Sequence, residues 1–115
     1  MESRVGGSKA PLESRVSTAA DRIAARRIFW ALADETRCSL LEALLERNFQ
    51  SASTLAAPMQ ISRQAVSKHL EVLGEAGLLR RSRDGKKVVF EILPEGLAPV
   101  SEYIRLFAPR EANAT

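Results

Sequence analysis

Ser62-Arg63-Gln64-Ala65-Val66-Ser67-Lys68-His69-Leu70-Glu71-Val72-Leu73-Gly74-Glu75-Ala76-Gly77 is the stretch on which the fold turns. Ser62 is of a type that opens a helix, because its hydroxyl can accept from a backbone N–H that the first turn leaves unpaired. Gly77 is of a type that closes one, since glycine enters the left-handed conformation without strain. At about 100° per residue, Ala65, Val66, His69, Leu70, Val72, Leu73 and Ala76 fall on one side of this helix. Arg63, Gln64, Ser67, Lys68, Glu71, Gly74 and Glu75 fall on the other. The exposed side chains of the first turns are therefore Arg63, Gln64, Ser67 and Lys68, all able to donate to phosphates and base edges. The acids Glu71 and Glu75 come later, where a helix entering a groove end-on has left it. An ordinary amphipathic helix with a wet polar face is the plainer alternative. His69 sits among apolar neighbours, which suits a histidine at the core edge bonding to backbone or phosphate better than one reading a base.

Downstream, Leu79–Arg83 and Lys86–Leu93 flank Asp84-Gly85, a pair that suits a type I′ hairpin turn. That turn would set Arg83 opposite Lys86 and Arg81 opposite Val88, with cations facing across the ladder unless an anion lies nearby. Upstream, Gln60-Ile61 is a tight link from a short helix over Ser53–Met59, capped by Ser53 and ended by Pro58. Asp34 caps an earlier helix that runs to about Arg47 with Leu40, Leu41, Leu44 and Leu45 on its apolar face. Arg37 lies in that stripe and is expected to pack its stem on the core with its guanidinium on a carboxylate. Thr18–Ala33 reads as the first helix and Glu95–Ala108 as the last. In the last, Leu97, Val100, Ile104 and Phe107 are spaced 3, 4 and 3, a heptad-like seam.

The chain has 115 residues, which is one domain, and a formal net charge of +3. The charge is focused. Residues 61–87 hold seven cations against three acids, a net +4 that leaves −1 for the remainder. A basic segment on a nearly neutral body is the footprint of a nucleic-acid-binding face, with a solvated hairpin as the alternative. One cysteine, Cys38, and one histidine, His69, exclude a disulfide framework or a Cys/His zinc site within the chain. Those counts also argue against an enzyme, because Cys38 and His69 lie in no catalytic context. The longest apolar run, Ile28–Ala33, is far too short to cross a bilayer, and residues 1–7 have no signal-peptide character. A cytoplasmic, nucleoid-associated protein with no membrane partner is expected. Residues 1–18 and 109–115 read as a disordered arm and a flexible tail around a domain of residues 19–108. Glu-Ser-Arg-Val occurs twice in the arm, at 2–5 and 13–16, too short a repeat to build structure.

Four helices, a charged hairpin and a closing helix make a mainly α chain in the order ααααββα, that of a winged helix-turn-helix. Residues 29–37 (Phe-Trp-Ala-Leu-Ala-Asp-Glu-Thr-Arg), Leu40-Leu41, 61–73 and 75–79 resemble the ArsR family of bacterial repressors, a likeness that covers about residues 22–105. The resemblance implies double-stranded DNA as partner and a homodimer formed by the first and last helices. Carried over, Ser62, Arg63, Gln64, Ser67, Lys68 and His69 match the recognition helix, and Arg81, Arg83, Lys86 and Lys87 match the wing. Ile23, Phe29, Leu97, Val100, Ile104 and Phe107 supply the apolar dimer surface. The cysteine pairs and the Asp and His ligands of the family's metal sensors are missing, so a metal-free subset without cofactor is implied, with an inducer that the residues do not name. Two other functions stay open at this stage. One is a winged-helix protein-docking module, and the other a thiol sensor built on Cys38, against which simple packing of the thiol weighs more.

Overall fold

The computed structural model describes residues 18–108. The chain divides into two compact units, one of Arg27–Leu97 and one that takes the described residues on either side. Five α-helices and one hairpin are described: α1 (Ala19–Leu32), α2 (Glu35–Glu46), α3 (Ala52–Ala56), α4 (Arg63–Glu75), β1 (Leu79–Asp84), β2 (Lys87–Ile92) and α5 (Ala98–Arg105). The expected fold class holds. The arm and tail readings for residues 1–17 and 109–115 lie outside the described residues.

Helix starts follow the caps. The Asp34 carboxylate accepts from Arg37 N–H at 3.0 Å and the Ser62 hydroxyl from Ala65 N–H at 3.0 Å. The third helix is a correction: its cap is Ser51, which accepts from Thr54 N–H, and Ser53 lies inside it. Its end is corrected too: the α-helix stops at Ala56 rather than near Met59, and Pro58 sits within a 3-10 turn over Ala57–Met59, with Ala57 still in helical geometry. Gln60 then takes a left-handed backbone with φ 60°, the sharp link that swings the chain into α4. At the far end of α4, Leu78 N–H bonds to Leu73 C=O and Gly77 N–H to Gly74 C=O, with Gly77 at φ +86°. This is a Schellman closure that only a glycine takes without strain.

The core of the Arg27–Leu97 unit is made of Ile28, Ala31, Leu40, Leu44, Leu55, Val66, Leu70, Leu73, Leu78, Leu79, Val89 and Phe90, all buried. Val66, Leu70 and Leu73 are the apolar stripe of α4, so burial fixes which of its faces remains outside.

The hairpin register corrects the sequence reading. Arg83 pairs with Val88, Arg81 with Phe90 and Asp84 with Lys87, so the two-residue loop is Gly85-Lys86. Gly85 has φ +67° while Lys86 is not in the left-handed region, which fits the type II′ pattern with glycine first. No cations face each other across this ladder. Asp84 opposes Lys87, and Arg80 pairs with Glu91 at 3.1 Å. The expected like-charge cost is absent. The hairpin is tied down by a bridge that the sequence did not announce: Phe90 N–H donates to Gln50 C=O at 2.9 Å, and Ile92 N–H to the Asn48 side chain at 3.0 Å.

The last helix is also corrected. Pro94–Leu97 is a 3-10 turn and α5 begins at Ala98. Pro99 has no N–H to give Glu95, so an α-ladder cannot run through it and starts where an unpaired donor is tolerated anyway. The four-residue seam is accordingly broken. Val100 and Ile104 lie on α5, Leu97 precedes it, and Phe107 follows it with its ring 5.3 Å from that of Tyr103.

Candidate nucleic-acid interface

With its apolar stripe buried, α4 presents Arg63, Gln64 and Lys68 to solvent and leaves Ser67 half-buried. A helix of about 10–12 Å diameter fits the major groove, and its N-terminal end carries the positive pole of the backbone dipoles. Ser62 is occupied as the cap through its oxygen lone pair, which leaves its hydroxyl proton available.

Between α3, α4 and the hairpin runs an open groove of about 1030 Å³. Arg63 and Ser67 enter it from α4, Arg81 and Lys87 from the hairpin, and Ser53 and Thr54 from α3, over a floor of Leu70, Leu79, Val88 and Phe90. Strand alternation explains the division of the arginines. Arg81 and Arg83 share a face with Leu79, whereas Arg80 points to the other face and is held by Glu91. Arg83 and Lys86 are exposed at the hairpin tip. Glu71 and Glu75 line the C-terminal half of the same groove. An anionic polymer is therefore welcomed at the start of α4 and repelled at its end.

His69 departs from the other recognition-helix candidates. Its Nδ1 lies 3.3 Å from Arg37 Nη1 and 3.9 Å from Asp34 Oδ2, on the inner side of α4. Arg37 is only 9% exposed, and its expected carboxylate partner is not what it has. Its Nε donates to Ala31 C=O at 2.6 Å and its Nη2 to Trp30 C=O at 3.3 Å, with the guanidinium 4.9 Å from the Trp30 ring. The last carbonyls of a helix have no intrahelical donor, so a guanidinium reaching back from α2 satisfies the end of α1. The Arg37 N–H bonded to it holds the Asp34 carboxyl below the usual carboxylate range, with the charges of Arg37 and His69 assisting against partial burial. The only advance sign of this cluster was an arginine inside an apolar stripe.

Cys38 is half-buried and its thiol donates to Leu32 C=O at 3.2 Å. Among the described residues no group of three or more His, Cys, Asp or Glu could hold a metal ion, and no helix is long and apolar enough to cross a membrane. Of the expected dimer residues, Ile23, Phe29, Leu97, Ile104 and Phe107 are exposed and Val100 is half-buried.

A short helix, a left-handed link and a helix with donors on its outer first turns make a helix-turn-helix, and the basic hairpin is its wing. The class is that of winged helix-turn-helix DNA-binding transcriptional regulators. A family described as helix-turn-helix domain matches residues 32–82. The uncharacterised HTH-type transcriptional regulator YuzN of Bacillus subtilis (strain 168) is 43% identical over 65 residues, 51% of this chain and 71% of its own. A probable mercury resistance operon repressor of Streptomyces lividans is 34% identical over 88 residues, 76% of this chain and 70% of its own. An ArsR-like transcriptional regulator from Rhodococcus sp. RHA1 superposes with a TM-score of 0.68 at 32% identity, covering 80% of this chain and 86% of that one. The chain belongs to the ArsR family of transcriptional regulators.

Proposed function

We propose that this regulator is a homodimeric repressor that holds an inverted-repeat operator. Ser62, Arg63, Gln64, Ser67 and Lys68 serve each half-site from α4, and Arg81, Arg83, Lys86 and Lys87 from the wing, with His69 contributing from the inner edge of the helix. The repressor role is carried over from the Streptomyces lividans relative, whose name states it. The observation that carries the reading is the shared groove, in which Arg63 of α4 meets Arg81 and Lys87 of the wing. A phosphate backbone lying along it meets cations from two elements while the first turns of α4 reach base edges. A protein-docking surface would present aromatic anchors there, and the outward residues of α4 include none. Cys38 is half-buried with its thiol proton on the Leu32 carbonyl, which supports packing rather than sensing as its role. The reading needs no metal or cofactor and places the protein on the nucleoid, in the cytoplasm.

The test is selection of bound sites from random duplex DNA with the purified chain. Enrichment of an imperfect inverted repeat, with half-sites about one or two helical turns apart, is expected. Failure to enrich any sequence, with binding no tighter than to scrambled duplex, overturns the reading.

A further inference from the structure

The cluster of Arg37, Asp34 and His69 holds more than a helix end. A guanidinium carries donors and no acceptor, so the ring nitrogen 3.3 Å from Arg37 Nη1 must offer its lone pair. Asp34 Oδ2 would favour a proton on that same Nδ1, but at 3.9 Å it lies outside hydrogen-bond range, and the arginine is nearer. In the neutral ring the proton is then on Nε2, which points away from Nδ1 on a divergent axis. The His69 side chain is 27% exposed and sits on α4 one residue past Lys68, within the segment proposed above to meet DNA. Arg37 itself is anchored twice over, by Ala31 and Trp30 carbonyls, and cannot follow the ring if it turns.

We propose that Arg37 is a positioning residue for DNA binding: it fixes His69 in the Nε2–H tautomer and orientation, so that Nε2–H donates to a backbone phosphate of the bound duplex. The proposal rests on the functional reading above and adds to it a residue that touches no DNA. In that tautomer the ring donates through Nε2–H, so it contributes to affinity for every sequence alike and leaves the salt dependence to Lys and Arg, which release counterions. It also links the seating of α4 to the junction of α1 and α2, because the same guanidinium serves both.

Two substitutions separate the two nitrogens. Asparagine at 69 can set its Oδ1 where Nδ1 was, keeping an acceptor for Arg37 and losing the outer donor. Glutamine can set its Nε2 where the ring's Nε2 was, keeping the donor and losing the inner acceptor. His69→Asn is expected to melt within a few degrees of wild type yet bind operator and scrambled duplex about tenfold more weakly, with an unchanged salt slope. His69→Gln, which keeps the donor but loses its tether to Arg37, is expected to melt lower and, held below its melting range, to bind about threefold more weakly than wild type, between wild type and His69→Asn. Nitrogen-15 NMR of the wild-type imidazole reads the tautomer without DNA: a single Nε2–H form is expected, giving way to a mixture in Arg37→Met where that variant folds. A wild-type ring protonated on Nδ1 alone, or His69→Asn binding DNA as tightly as wild type, overturns the proposal; so does a folded Arg37→Met whose ring is still wholly Nε2–H. Wild-type protein that binds no DNA overturns the functional reading itself, and shows it before any variant is compared.

Discussion

Arg63 and Gln64 stand in the first turn of α4, immediately past its cap, where a side chain can make two parallel bonds to one base edge. Each such pair discriminates by about 1–3 kcal/mol, so Gln64→Ala should flatten the preference between operator and scrambled duplex by that amount. Lys86 stands in the hairpin loop and Lys87 on the groove wall, and on the reading proposed above both meet only phosphates. The double change Lys86→Ala/Lys87→Ala should weaken every sequence alike and lower the slope of log affinity against log salt by about one unit per charge. Titration of both variants across a salt series checks the division. Sequence preference lost from the wing pair and kept in Gln64→Ala would reverse the two assignments. Asp34 belongs at this scale too. Its carboxyl is held below the ordinary value of 3.8, so ionised Asp34 contributes stability above the unfolded value, and that contribution disappears as pH falls through the lowered one. Asp34→Asn keeps the cap oxygen without the charge. Melts of the two proteins should therefore differ most at neutral pH and converge towards pH 2, and a gap that stays constant with pH would deny the carboxylate this role.

The elements show what could be read from the chain and what could not. Helices α2 and α4 were legible because each begins with a capping side chain and carries an apolar stripe at helical spacing, signals that are local in sequence. For the same reason Ser62→Ala should cost about 1 kcal/mol in a denaturant melt, and Gly77→Ala about as much or more, since Gly77 has φ +86° and nothing within 4 Å of a built Cβ to blame instead. The third helix was misplaced by two residues because Ser51 and Ser53 are equally good caps on paper. Only the fold chooses, by burying Ala52, Leu55 and Ala56. Asp84-Gly85 suggested the wrong turn because two loops were open to one glycine. The register that won sets Arg80 against Glu91 and Asp84 against Lys87, pairing charges that the other would have wasted. Gln50 and Asn48, which moor the wing, and Arg37, which moors His69, act between segments 32 to 44 residues apart. Contacts at that separation leave no periodic trace. The outward donors of α4 were readable, and what holds that helix in place was not.

At the scale of the whole molecule, ligand chemistry and surface set separate limits. With one cysteine bonded to a carbonyl and one histidine bonded to an arginine, the chain has few soft ligands to spare. Equilibrium dialysis with Zn²⁺, Cd²⁺ and Cu⁺ should find no stoichiometric site below micromolar concentration, and a tight site that releases DNA would require ligands shared between subunits. The dimer is the larger question. In the flanking unit Ile104 is 53% exposed and Phe107 72%, and Ile23 is also uncovered, while the Arg27–Leu97 unit leaves Phe29 and Leu97 open. So many large apolar side chains in so small a chain argue for a partner surface. A two-fold interface presents each substitution twice, which makes one position a sensitive probe. Ile104 is the right one because its exposure in the single chain means that a glutamate there buries no charge unless a second chain covers it. On the proposed homodimer, Ile104→Glu should therefore fold, sediment as a monomer where the wild type is expected to sediment as a dimer, and lose the concentration dependence of its melting temperature. Its affinity for a two-half-site operator should fall towards that for a single half-site, since the second contact is no longer tethered. A variant that still sediments as a dimer, with an unaltered melt, would remove the last helix from the interface.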